Sequence, residues 1–275
     1  MKRHLDPVSL FLNMITKVAA FITILVLFFI IAYILIRGIP NLTPSLFEWE
    51  YTTENVSMMP AIINTIYVVL LSLLISAPIG ICSAIYLVEY AKRGSKLVKI
   101  VLLTTETLAG IPSIVYGLFG SLMFVISLNM GLSLLAGSLT LAIMVLPTIM
   151  RTTQEALVAV PDSYREGSYG LGAGKIRTIF RIILPSAVPG IMSGIVLSMG
   201  RIVGETAALI YTSGTVGKIS TSVFEPGSTL AVHMYKLMSE GLYTEQACAV
   251  AVVLLVFVII MNSLSSVLGK KLAKG

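Results

Sequence analysis

Three features of the sequence point to an all-α polytopic membrane protein with six transmembrane helices. Of 275 residues, 56% are apolar and only 12% are Asp, Glu, Lys or Arg, against about 25% charged in a soluble domain. Mean hydropathy is +0.95. The apolar residues fall into six runs long enough to match the roughly 20 residues that a helix needs to cross a bilayer, and the basic residues collect in alternate connections between them. Such a composition excludes a disordered chain, a collagen, a coiled coil and an ordinary soluble enzyme.

The first run is expected over Ile15–Ile36 and the second over Ala61–Tyr90. The third covers Val98–Leu128, the fourth Leu132–Met150, the fifth Ser186–Tyr211 and the sixth Gln246–Leu268. The first is too long for the apolar stretch of a cleavable signal peptide, and Arg37-Gly-Ile-Pro40 is no small-residue cleavage site. Pro78, Pro112 and Pro147 interrupt three spans, and each frees a backbone carbonyl that needs a new partner. Glycines such as Gly110, Gly117 and Gly120 suit close helix packing.

Fifteen of the nineteen basic residues are expected on one face. They are Lys2, Arg3, Lys17, Lys92, Arg93, Lys96, Lys99, Arg151, Arg165, Lys175, Arg177, Arg181, Lys270, Lys271 and Lys274. The other face has Arg37, Lys218 and Lys236 among six glutamates. Lysine and arginine mark cytoplasmic loops, so both termini are expected in the cytoplasm. The formal charge of +6 therefore reports topology, and no nucleic-acid partner is expected. Cys82 and Cys248 lie inside apolar runs, which argues against a disulfide framework. Two isolated histidines, His4 and His233, form no metal cluster and no catalytic constellation.

Residues 151–185 form the longest cytoplasmic connection. Pro161 and Asp162 suit a helix start. Two short helices are expected, Asp162–Leu171 and Lys175–Ile183, separated by Gly172-Ala-Gly174, with Pro185 at the entry to the next span. The second sets Lys175, Arg177 and Arg181 against Ile176, Ile179, Phe180 and Ile183, a pattern that could lie on a membrane surface.

The spacing goes further. Glu166-Gly-Ser168, then three residues and Gly172, then nine residues and Ile182-Ile-Leu-Pro185, resembles the E-A-A-x3-G-x9-I-x-L-P motif of bacterial ABC-importer permeases, with Gly167 and Ser168 replacing the alanines. Ala109-Gly-Ile-Pro-Ser-Ile-Val-Tyr-Gly-Leu-Phe-Gly120, Leu139 through Pro147, and Gly200-Arg-Ile-Val-Gly-Glu-Thr-Ala207 resemble signatures of the A-type permeases of phosphate-specific (Pst) importers. The long apolar run before Asn262 is similar to their ending. The likeness covers roughly residues 60 to 268. The stretch Glu54-Asn-Val-Ser-Met-Met-Pro60 departs from the glycine-rich segment that the family often carries there.

This resemblance implies a single permease domain over 1–275, with the type I ABC-importer permease fold and cytoplasmic coupling helices. It implies that Tyr164, Arg165, Glu166, Gly167, Ser168 and Gly172 contact an ATPase subunit. It also implies the partners: a homologous C-type permease, two ATP-binding subunits and an external phosphate-binding protein, in the bacterial inner membrane. This chain is expected to bind no cofactor, with ATP and Mg used by the partner ATPase. Gly174-Lys175 and Gly217-Lys218 are not phosphate loops, because Tyr169 and Thr212 replace the first glycine and isoleucine follows each lysine. The alternatives are a permease for sulfate or molybdate, or an ion-coupled carrier or channel.

Arg201 is the one basic residue that the topology rule leaves over. A charge at mid-span costs about 2.5–3.5 kcal/mol on insertion scales and usually marks a pathway. Glu205, at i+4, is expected on the same helical face, with Ser198 and Gly194 below leaving room for a solute. A guanidinium offers planar, paired donors to an oxyanion. Glu106 is expected as a buried carboxylate in the third span, bonded to Thr104, Thr105 or Thr107 or to a basic residue of another helix. Glu89 is expected at the interface near Lys92 and Arg93.

Overall fold

The computed structural model describes residues 7–92 and 94–272. Helices and loops account for all of them, with no strand among the described residues. Lys2, Arg3, His4, Arg93 and Lys274 lie outside them.

Helix α1 (Pro7–Gly38) crosses α11 (Thr244–Leu272) near its C-terminal end. There an added Cβ on Gly38 would overlap the Cys248 carbonyl and sit 2.6 Å from Val252 Cγ2. The rest of α1 is apolar and exposed, as lipid-facing surface requires. Helix α2 (Met59–Ile85) packs along α5 (Leu134–Val158), and α8 (Leu184–Val203) packs against both. Their shared core holds Val68, Val69, Leu141, Met144, Ile149 and Ile202. Ser133 caps α5, its Oγ accepting from the Ala136 amide at 3.2 Å, which is worth about 1 kcal/mol.

Three spans differ from expectation. The fourth does not stop at Met150. Helix α5 runs on to Val158 because nothing breaks it before Pro161 and an Arg151–Glu155 pair at 3.1 Å supports the added turns. The fifth begins early. Helix α7 (Lys175–Thr178), a π-helical turn (Ile179–Ile183) and α8 form one rod over Lys175–Val203. Residues 175–183 are thus the start of the span and not a separate surface helix. Pro185 does not break it, because the widened turn just before gives room to a ring that would otherwise clash with the preceding turn. The rod then ends at Val203, and a separate helix α9 (Ala207–Thr212) follows.

The third span is broken as well. Helix α3 (Lys96–Ala109) and α4 (Ser113–Gly120, extended by a π-helical turn over Ser121–Ser127) meet at 101°. Gly110 ends α3, and Ile111 is held from the helical region by the following proline. Pro78 and Pro147 lack such a glycine partner and stay inside continuous helices.

The bent pair still counts as one crossing. Leu102, Thr105 and Glu106 of α3 line a cleft with Gln154, Glu155 and Val158 at one end of α5. Beyond α4, Ser133, Leu134 and Leu135 donate backbone hydrogen bonds to Thr212, Glu225 and Val223 at the other end. With α1, α2, α5, α8 and α11 this makes six spans.

Between α5 and α7 lies α6 (Asp162–Gly170). Residues 39–58 and 213–243, including α10 (Leu230–Glu240), cap the opposite end. Asn64 ties that cap to α2. Its Nδ2 donates to the Lys218 carbonyl at 2.9 Å, and its Oδ1 accepts from the Ser220 amide at 3.2 Å.

Candidate functional site

Two places bring the sequence-selected residues together: the break between α8 and α9, and the α6 turn.

At the break, Arg201 lies in the last turn of α8 and is partly exposed. It has no ion-pair partner among the described residues. The expected i, i+4 pairing with Glu205 fails because the helix stops between them, with Gly204 at its C-cap. The Glu205 carboxylate is buried and turns forward, Oε1 accepting from the Ala208 amide at 3.1 Å. It thereby satisfies a free donor at the positive end of α9.

The α9 helix packs on α4 with no side chain between. A Cβ on Gly117 would lie 2.7 Å from Ala208 Cα, and one on Gly120 would overlap Thr140 of α5. Tyr116 spans the other break, its hydroxyl donating to the Leu108 carbonyl of α3 at 2.7 Å. The guanidinium of Arg201 lies within electrostatic reach of that phenol. Two broken helices therefore meet beside one unpaired cation. Tyr116 sits in the glycine-rich signature, but nothing in its spacing showed that it would bridge a break.

Gly194 and Ser198 do not lie beside open space. Both are buried, and a Cβ on Gly194 would overlap Thr152 of α5. Their small size is needed by helix packing, and the Ser198 hydroxyl is buried without a partner. Glu106 is exposed, contrary to expectation. Thr104, Thr105 and Thr107 donate instead to the carbonyls one turn back, at 2.7–2.9 Å. That leaves Glu106 facing Arg151 and Glu155 across two adjoining clefts of about 290 and 310 Å³.

In the α6 turn the expected contact surface divides in two. Tyr164, Glu166, Gly167, Tyr169 and Leu171 are exposed, Leu171 at 92%. Gly172 has φ +80°, a left-handed conformation that glycine adopts without strain and that ends the helix. Nothing lies within 4 Å of a Cβ added to Gly167 or Gly170, so no packing within the chain requires glycine there. Arg165 and Ser168 point inward. Ser168 Oγ lies 2.8 Å from Thr178 Oγ1. Arg165 donates to Glu89 Oε1 at 2.8 and 3.1 Å, to Asp162 Oδ1 at 3.1 Å, and to the carbonyls of Leu157 and Val160 at 3.0 and 2.8 Å. The Glu89 side chain is thus covered by α6 and 6% exposed. Seventy-six residues separate the two, and no local pattern links them.

Residues 76–274 match the family model described as "Binding-protein-dependent transport system inner membrane component". The "Phosphate transport system permease protein PstA" of Yersinia pestis is 34% identical over 276 residues, covering 98% of this chain and 92% of that one. The "Probable ABC transporter permease protein YqgI" of Bacillus subtilis is 31% identical over 267 residues, 88% of each. A PstA 1 of Mycobacterium tuberculosis is 41% identical over 150 residues, 54% of this chain and 49% of that one. Among solved structures, an inward-facing MetNI methionine ABC transporter has a TM-score of 0.61 at 18% identity, covering 78% of this chain and 94% of that one. An ABC transporter importing the acidic polysaccharide alginate has a TM-score of 0.58 at 17% identity, with 94% and 98% covered.

Proposed function

The chain belongs to the family of binding-protein-dependent transport system inner membrane components, and on that basis we propose that it is the permease subunit of an ATP-driven importer of inorganic phosphate. It is a multi-pass ABC-transporter permease with the type I importer fold. In this reading it forms half of the translocation pathway, beside a homologous C-type permease. One of the two ATP-binding subunits docks on the exposed face of α6, where Gly167 leaves an uncluttered surface. ATP and Mg are used there, and an external binding protein delivers phosphate. Closure of the ATPase dimer moves α6, and the spans rock so that the pathway opens alternately to the two sides. The basic face, with both termini, is cytoplasmic.

The observation that carries the substrate class is Arg201, a cation left unpaired at the junction of two broken helices. Glu205 is fixed to α9, so it does not neutralise the guanidinium, which stays free to meet an oxyanion transiently. A permease supplied by a binding protein needs no tight site of its own. The test is uptake of radiolabelled phosphate, sulfate and molybdate by the reconstituted complex. Phosphate is expected to be taken up in preference. Arg201→Ala is expected to abolish uptake while the ATP-binding subunits still co-purify. Normal uptake in that variant removes Arg201 from the pathway. ATP-independent uptake, with no ATPase subunit bound, sinks the importer itself.

A further inference from the structure

We propose that Arg165 and Glu89 are positioning residues that make α6 move as one body with the ends of α2 and α5. The proposal rests on the importer reading above and deepens it by naming the linkage between the docking helix and the spans.

The argument begins with direction. Arg165 stands in the middle of the segment that the motif marks for docking, yet its side chain is only 15% exposed and points away from the docking face. It makes five hydrogen bonds, to Glu89 twice and to Asp162, Leu157 and Val160. A guanidinium has five N–H donors in a rigid fork, so the whole group is engaged. Its acceptors belong to three different elements. Glu89 lies in the π-helical turn that ends α2 (Tyr86–Tyr90), Leu157 lies in the last turn of α5 with Val160 just beyond, and Asp162 opens α6 itself. The Leu157 carbonyl lies in the last turn of α5 and takes Arg165 beside the Val160 amide at 3.4 Å, and a cation suits the negative end of the α5 dipole.

Ser168 gives a second, lighter tie through Thr178 at 2.8 Å. Lys175 in turn joins α7 to the turn that ends α2, with Nζ 4.6 Å from the centre of the Tyr90 ring. On the outward face nothing lies within 4 Å of a Cβ added to Gly167 or Gly170, while the inward face is bonded to the end of α5, to the turn that ends α2 and to α7. A helix pushed from outside can move those spans only if it does not slide over them. Directional, charge-assisted bonds resist sliding better than apolar contact does. The sequence identifies α6 as the docking element. The linkage beneath it identifies Arg165 as the residue that passes displacement inward.

The test uses the whole complex with three readouts: co-purification of the ATP-binding subunits, ATP hydrolysis with and without the loaded binding protein, and solute uptake. Removing one partner would strand a buried charge, so the informative variant replaces both, as Glu89→Gln with Arg165→Met. That double variant is expected to reach the membrane and keep its ATP-binding subunits. Uptake and the stimulated part of hydrolysis are expected to fall about tenfold, the size of a coupling between distant sites. Basal hydrolysis is expected to change little. Arg165→Lys keeps the charge but loses donors, and its uptake is expected between the two at wild-type abundance.

Wild-type uptake in either variant overturns the proposal. So does loss of the ATP-binding subunits from the double variant, because Arg165 would then belong to the docking surface. If the wild-type complex transports a different solute, the substrate assignment fails, but stimulated hydrolysis and co-purification still report on the linkage.

Discussion

Arg165 and Arg201 carry the same charge, and their surroundings give them opposite tasks. Arg165 has acceptors for all its donors and is held still. Arg201 has no ion-pair partner among the described residues, and the proposed reading gives it to a passing anion. His233 shows the same dependence on surroundings in the loop cap. It is 2% exposed, packs edge-on to Tyr51, and its Nε2 lies 3.2 Å from the Val56 carbonyl. A carbonyl only accepts, so Nε2 carries the proton and the ring is neutral with one N–H. Burial, with a smaller contribution from Lys236, pushes its pKa down to about 4, against a partial opposing effect of the Val56 hydrogen bond. The unfolded chain takes up that proton near 6.5. As pH falls from 6.5 to 4 the unfolded state is therefore favoured, by up to about 3 kcal/mol, and below 4 the contribution is constant. Thermal unfolding in detergent is expected to show this loss in wild type and not in His233→Gln, whose amide can donate to the same carbonyl. Equal pH dependence in the two proteins would mean that the cap opens before the histidine titrates.

Glycine has different work in α4 and in α6, and substitution separates the two. In α4 the Gly117 seam meets backbone, with an added Cβ 2.7 Å from Ala208 Cα, and backbone cannot swing aside. Gly117→Leu is expected to destabilise the chain by about 1–3 kcal/mol, the usual range for overpacking, and to stop transport. In α6 a Cβ on Gly167 meets open space. Gly167→Leu is expected to leave unfolding unchanged or raise stability by up to about 1 kcal/mol, since leucine is the better helix former. It should nevertheless lose the ATP-binding subunits on purification. Retention of those subunits would place the docking surface elsewhere. The six spans and the family motif carried by α6 could be read from the sequence because both are local: apolar length, basic flanks, and a glycine at a fixed distance from a glutamate. The breaks could not. Gly110-Ile-Pro112 and Gly204-Glu-Thr206 sit inside apolar runs, and hydropathy does not distinguish a bent helix from a straight one. The same limit explains Glu205, Gly194 and Ser198. Their helical spacing is real, but a helix end falls between Arg201 and Glu205, α5 covers Gly194, and Ser198 is buried as well.

Placing the molecule in the bilayer requires one further choice, which face is cytoplasmic, and the charges on its surface make that choice. One end carries Lys92, Lys96, Lys99, Arg151, Lys175, Arg177 and Arg181 around α6 and the ends of α2 and α5. The other end has Arg37, Lys218 and Lys236, of which Lys218 pairs with Glu225 at 3.1 Å and Lys236 with Glu240 at 3.9 Å. The Lys218 contact and the Thr221 amide also hold the Glu225 carboxyl below its ordinary pKa, so the pair persists into mild acid. Lysine and arginine in short loops are retained in the cytoplasm, so the end that carries most of them is expected there. Because the bent α3–α4 pair makes a single crossing, the six spans return the chain to its starting side, so α1 begins and α11 finishes at the same end. In a chain with Cys82 and Cys248 replaced, a cysteine at Leu171, 92% exposed beside α6, is expected to react with an impermeant thiol reagent only in inside-out vesicles. A cysteine at Leu242, 81% exposed after α10, is expected to react only from outside, in intact cells. Labelling of Leu171→Cys in intact cells would turn the docking helix away from the ATP that drives it and overturn the importer assignment together with the topology.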